Sequence, residues 1–190
     1  MLQERAPGTA ASLRPPATET AVAEAERAMT LATPAEVAEW LLLVDGAVAT
    51  PGAGVLLPPL FVPVGLQRLV ELQRMKLDIY GGQDGEQGSA GECRQAFSRA
   101  FFPVGDDTTG DLLVVDMRPG GAQGCVMNWS KSEGIYGAPI WANTAQMWED
   151  VADALETGQR EGDAASGDPH LTRNGCTAVF SVRGDVTWEF

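Results

Sequence analysis

Few residues in this chain have the types and spacing that chemistry needs. Its 190 residues hold one histidine, His170, in a polar loop beside Pro169, and three cysteines, Cys93, Cys125 and Cys176, with no Cys-x-x-Cys spacing. A zinc site would have to assemble all four from distant segments, so inert reduced thiols and a surface histidine are expected. A serine or cysteine nucleophile meets the same objection, because the Gly-x-Ser-x-Gly elbow is absent. Carboxylates remain, as they do in any acidic chain. The densest group lies in "FFPVGDDTTGDLLVVDMRPG", Phe101 to Gly120, where Asp106, Asp107, Asp111 and Asp116 surround an apolar run.

A calcium loop needs oxygen ligands at its first, third and fifth positions and then a glycine, whereas "DDTTGD" sets Asp106, Thr108 and Gly110 in register. The stretch also lacks the Gly-Lys-Ser/Thr ending of a phosphate loop. Asp106 and Asp107 are adjacent, so in an extended strand they face opposite sides and cannot share a proton. Turn chemistry accounts for each carboxylate: Asp107 and Gly110 bound a turn, Asp111 starts a strand, and Asp116 with Pro119 and Gly120 closes it. No catalytic residue, metal or cofactor is expected. A contact surface is the sharper expectation, because "NWSKSEGIYGAPIW", Asn128 to Trp141, combines aromatics with Ser130, Lys131, Ser132 and Glu133. The candidate partner-binding residues are Asp106, Asp107, Asp111, Trp129, Glu133, Tyr136 and Trp141. Core or rim is the simpler account of the three aromatics.

Charge narrows the partner. Lys and Arg number 13 against 26 Asp and Glu, a formal charge of -13. Such a surface repels phosphate backbones, which disfavours direct nucleic-acid binding, and suits a basic protein partner with fast, salt-sensitive association. Acidity that merely keeps a protein soluble is the bland alternative. Hydrophobic residues at 44% and charged ones at 21% suit a globular chain, and 22 Gly with 12 Pro promise many turns. The first residues lack an apolar signal core, and "GVLLPPLFVPVGL" is broken by Pro58, Pro59 and Pro63. No membrane association and a cytoplasmic location are the expectations.

The elements that must position these residues can be read along the chain. Residues 1–17, with Pro7, Gly8, Pro15 and Pro16 and no periodicity, read as a mobile tail, and one domain spans 18–190. Glu19–Met29 puts Val22, Ala25 and Met29 on one helical face. Thr33 can cap a second helix, with Pro34 at its first position and Glu36 completing a capping box; Val37, Trp40, Leu41 and Val44 give its spacing, Trp40 serves as a core anchor, and Asp45-Gly46 supplies the stop. Leu66, Leu69, Val70 and Leu77 mark a third helix, 81–92 reads as a flexible loop, and 94–99 as a short helix. Phe101–Val104, Leu112–Met117 and "GCVMNW" make an antiparallel meander with a middle strand buried on both faces. Asn143 and Gln146 cap a helix carrying Met147, Val151 and Leu155, ended by Gly158. A polar loop over 159–169 precedes a terminal hairpin turning at Arg183 to Asp185. The class is α+β: a single domain with a mixed, mainly antiparallel sheet of about six strands and helices packed against it.

The order of these pieces resembles the SUKH superfamily, and more narrowly its Smi/Knr-type domain. The stretches that carry the resemblance are "WLLLVDGA", "LLPPLFVPVG", "FFPVGDDTTGDLLVVDMRPG", "GCVMNWSKSEG", "MWEDVADALETG" and "GDVTWEF", over Thr18 to Phe190. Asp45-Gly46 matches the acidic-Gly end of the family's early helix. Phe102, Gly105, Asp106, Gly110, Asp111 and Asp116 match its strand-turn-strand pattern, and Trp129 its tryptophan after the next strand. The glycine loop at 81–92 and "CVMNWSKSEG", where relatives often carry more acidic residues, depart from the pattern. The resemblance implies a mixed sheet with packed helices and no catalytic apparatus. It implies as partner a cognate toxin domain, often a nuclease, that bacterial members bind and neutralise as immunity proteins. For fungal relatives it implies regulatory scaffolding in envelope or developmental control, which is the alternative here.

Overall fold

The five residues Leu112 to Asp116 are all buried, so this strand has the core on both faces and neighbours on both edges. In a computed structural model describing residues 1–49, 55–82, 88–162 and 168–190, it is the centre of a five-stranded sheet. The strands are β1 (Val62–Pro63), β2 (Phe101–Asp106), β3 (Leu112–Asp116), β4 (Cys125–Ser130) and β5 (Gly134–Ile135), paired antiparallel in sequence order. The meander is thus present, with Phe102 opposite Val115, Val114 opposite Met127 and Leu112 opposite Trp129. Pro103 brings no N–H to the ladder. It is tolerated because β1 reaches only Gly105 and Asp106 and the β2–β3 register shifts between Pro103 and Gly105.

Among the described residues six helices accompany this sheet and a smaller one: α1 (Leu2–Arg5), α2 (Pro7–Ser12), α3 (Glu19–Met29), α4 (Ala35–Leu43), α5 (Leu66–Tyr80) and α6 (Thr144–Thr157). Thr18 caps α3, its side chain accepting from the Ala21 amide, and Val22, Ala25 and Met29 are its buried face. Asn143 caps α6 by accepting from the Gln146 amide, while the Gln146 side chain accepts from Ala142 N–H. α3 packs on α5, α5 on β2, and α6 on α4 and β4. The smaller sheet comprises β6 (Gln159–Arg160), β7 (Thr177–Phe180) and β8 (Val186–Glu189), with β6·β7 parallel and β7·β8 antiparallel. The fold is α+β, and among the described residues eight short strands are divided between two sheets in place of about six in one.

Four expectations are corrected. The first 17 residues are not a free tail through Ser12: Ala6 and Thr9 are fully buried, the Gly8 amide donates to Gly184 O at 2.7 Å, and the Val186 amide donates to Thr9 Oγ1 at 2.9 Å. Pro7 opens a helix there instead of breaking one. The capping box at Thr33 does not form, because Pro34 occupies the cap position and Glu36 instead accepts from Thr144 Oγ1 at 3.2 Å. Segment 94–99 is not helical: Arg94 exchanges both backbone hydrogen bonds with Ile135, which pulls it beside β5. The polar loop at 159–169 begins as β6. The middle parts of the two expected loops, 83–87 and 163–167, lie outside the described residues.

Candidate protein-binding face

The β2–β3 turn is built by its own aspartates. Asp107 Oδ1 accepts from the amides of Thr109, Gly110 and Asp111 at 2.8, 2.8 and 2.9 Å, and Oδ2 from Thr109 Oγ1 at 2.5 Å. Burial pushes the Asp107 carboxyl up, but these hydrogen bonds to its charged form outweigh burial and hold it below the usual range. Asp106 Oδ1 accepts from the Thr108 amide at 2.9 Å, while Oδ2 receives Arg68 Nε and Nη2 at 3.0 and 2.8 Å. Thr108 and Gly110 take positive φ, 66° and 119°. An aspartate capping that turn stabilises a backbone most residues resist.

Two lysines complete the turn. Lys76, on α5 and 3% exposed, donates to Gly110 O at 2.6 Å, with its ammonium 4.3 Å from the centre of the Trp129 ring. Burial lowers its pKa, and Asp106, Asp111 and Asp107 oppose that shift. Lys131 Nζ donates to Thr109 O at 2.8 Å and its amide to Asp111 Oδ1 at 3.0 Å, which ties the β4–β5 turn to the β2–β3 turn. Arg68, Lys76 and Lys131 thus stand among Asp106, Asp107 and Asp111, although Arg68 is shared with Glu71 at 3.8 Å. The patch is less acidic than its sequence suggests.

Of the seven candidate residues, Asp107, Asp111, Glu133 and Tyr136 share this end of the sheet. Tyr136 is 41% exposed, and burial first, then the charges of Asp111 and Glu133, raise its phenol pKa. Asp106 adjoins them, ion-paired and almost covered. The two tryptophans are corrections. Trp129 is 1% exposed beneath the turn, edge-on to Tyr80 and Phe97 at 5.1 and 5.3 Å. Trp141 is wholly buried beside Val126 at the opposite end of β4, and its indole N–H donates to Asp150 Oδ2 at 2.8 Å. Neither can touch a partner without unfolding the core.

Two other charged clusters serve the fold. Asp116 and Arg118, 0% and 1% exposed in their side chains, pair at 2.7 Å, and Asp116 also accepts from Gly91 N at 3.0 Å. Asp150 receives Trp141 Nε1, Arg173 N at 2.9 Å and His170 Nε2 at 2.7 Å. Burial pushes its carboxyl up, and the bonds from His170, Arg173 and Trp141 bring it below the usual range. His170 therefore has a structural partner and is not a free surface histidine. Among the described residues no group of three or more His, Cys, Asp or Glu could hold a metal ion, and no helix is long and apolar enough to cross a membrane.

Reading the sequence missed one surface. Trp40 and Trp148 stack with centroids 3.8 Å apart and planes 24° from parallel, half-buried on the floor of an apolar groove between α4 and α6. The run Trp40 to Val44 carries the signal: five consecutive apolar residues exceed what one helical face can hide. A family model described as SMI1 / KNR4 family (SUKH-1) matches residues 16–156, from the segment before α3 to the last turn of α6. No curated protein matches at a significant level. With about three quarters of its length matched, the chain belongs to the SMI1 / KNR4 family (SUKH-1).

Proposed function

We propose that this chain is an immunity protein of a bacterial toxin system, a non-enzymatic module that binds and neutralises a basic toxin domain of the nuclease class in the cytoplasm. Membership of the SUKH family supports a protein-binding role. The observation that carries the reading is the half-exposed Tyr136 ring, with the charges of Asp111 and Glu133 acting on it, beside a turn held rigid by Asp107. An aromatic anchor beside two carboxylates suits a desolvated contact with a cationic partner. Asp111, Glu133 and Tyr136 make the contact; Asp106, Asp107, Arg68 and Lys76 hold the turn that presents them. The overall charge of -13 steers the encounter.

The test is capture from the producing cells at low and high salt, followed by expression of the captured protein alone and with this chain. The expected outcome is one dominant basic protein, released by salt, that arrests growth by itself and is harmless with its partner. Several weak partners with no toxicity would replace immunity with regulatory scaffolding.

A further inference from the structure

A nine-residue helix can bury only a stripe, and α4 has more apolar side chains than its stripe holds. Val37 and Leu41 are buried, Trp40 is half-buried, and Leu43 is 69% exposed. Facing it, α6 buries Met147, Val151, Ala154 and Leu155 but leaves Trp148 half-covered beside them. The groove between the helices has a volume of about 510 Å3, with walls from Leu2, Leu13, Leu43, Leu56, Val151 and Leu155 around the stacked indoles. Among the described residues the charged side chains in its lining are Glu36 and Glu39 on α4, and the one cation there, the amino group of Met1, pairs with Glu4 at 3.9 Å. Next in sequence to lining residues stand exposed Glu149 and Glu156 on α6 and Arg14, which pairs with Asp45 at 3.7 Å. Arg5 is committed to the C-terminal end of α6, donating to the carbonyls of Leu155, Glu156 and Gly158.

We propose that this groove docks a basic amphipathic helix of a protein partner. Large apolar residues at i, i+3, i+4 and i+7 lie on Trp40 and Trp148, and lysines or arginines on the flanks meet Glu36, Glu39, Glu149 and Glu156. Charge selects this occupant. A second copy of the chain would set acidic rim against acidic rim, and an anionic bilayer would be repelled. The stacked indoles are rigid anchors of the kind that dominates interface energy. The inference rests on the protein-binding reading above and assigns that activity a second surface, distinct from the Tyr136 face.

The probe is a fluorescently labelled peptide of leucine and lysine, about five helical turns long with its leucines on one face, followed by anisotropy. Wild type is expected to bind it saturably, one to one. Leu43→Gln and Glu39→Lys are each expected to weaken binding at least about tenfold, and Glu189→Gln, an exposed position on β8 outside both surfaces, to leave it unchanged. Leu43 and Glu39 are exposed, so both variants should keep the wild-type melting temperature. Equal binding by wild type and both groove variants overturns the proposal. So does equal binding of a leucine–glutamate peptide, self-association relieved by Leu43→Gln, or uptake onto anionic phospholipid vesicles. The peptide titration requires no toxin, so it can fail while capture of a toxic partner succeeds, and the reverse.

Discussion

Replacing Asp116 with alanine should cost more stability than any surface substitution on this chain. The carboxylate is fully buried and receives Arg118 N, Nε and Nη2 together with Gly91 N, all within 3.2 Å. Truncation leaves a guanidinium that is 1% exposed without its counter-charge, and removing one member of a buried pair costs about 3–5 kcal/mol. For a chain of this size each kcal/mol moves the melting temperature by about 2–4 °C, so the expected drop is about 6–20 °C. Calorimetry of wild type, Asp116→Ala, Arg118→Met and the double variant Asp116→Leu/Arg118→Met measures it. The double variant should be more stable than Asp116→Ala, because both lose the acceptor of the residue 118 amide but the double variant leaves no unpaired charge, and water can serve the partly exposed Gly91 amide and exposed Glu92 carbonyl. A loss below about 1 kcal/mol for Asp116→Ala, or a double variant no better than the worse single, would refute the reasoning.

Acid should unfold the protein partly through Asp107 and Asp150. Their folded pKa values lie below the ordinary 3.8, so their contribution is full above that pH and is lost as pH falls through the folded values; melts across that range should flatten in Asp107→Asn and Asp150→Asn. At neutral pH, Asp150→Ala orphans the buried Trp141 indole N–H and should cost about 1–3 kcal/mol in urea denaturation. A thiol reagent should label only Cys93 in the native protein and all three cysteines after unfolding, because Cys176 is buried and burial pushes the Cys125 thiol up to about 11. Gly134→Ala should destabilise the β5 edge by about 1–3 kcal/mol, since Gly134 has φ of 72° and a Cβ would lie 2.1 Å from Arg94 O; a melt unchanged from wild type would contradict the clash.

The meander was legible because its signals are local. Leu112 to Val115 is apolar at every position, and Asp107, Gly110 and Gly120 punctuate it, so strand, burial and turns follow from neighbours in sequence. The helices at 19–29, 66–80 and 144–157 were legible for the same reason, through their 3.6-residue stripes and, for the last, the Asn143 cap. What was missed depends on distant partners. Pro7 and Gly8 look like breakers until Gly184 O accepts from the Gly8 amide and Thr9 Oγ1 accepts from the Val186 amide. The cations that neutralise the acidic turn, Arg68 and Lys76, precede their partners by 38 and 34 residues. Composition could not separate Trp129 from Tyr136 either: both flank the β4–β5 turn, but one side chain enters the core under Lys76 and the other faces out. Trp40 looked like a core anchor because periodicity reports the face a helix presents, not whether a neighbour closes over it.

The central claim is that this protein works by binding one cationic partner through Tyr136 and the two carboxylates that act on it, Asp111 and Glu133. Calorimetric titration of the captured basic partner with wild type, Tyr136→Ala and Glu133→Gln, at low and high salt, tests it most directly. The account predicts one-to-one binding that salt weakens, and a loss of about 2 kcal/mol or more for Tyr136→Ala, with unchanged melting of the free variants. Binding of equal strength by all three proteins, or binding indifferent to salt, would contradict it.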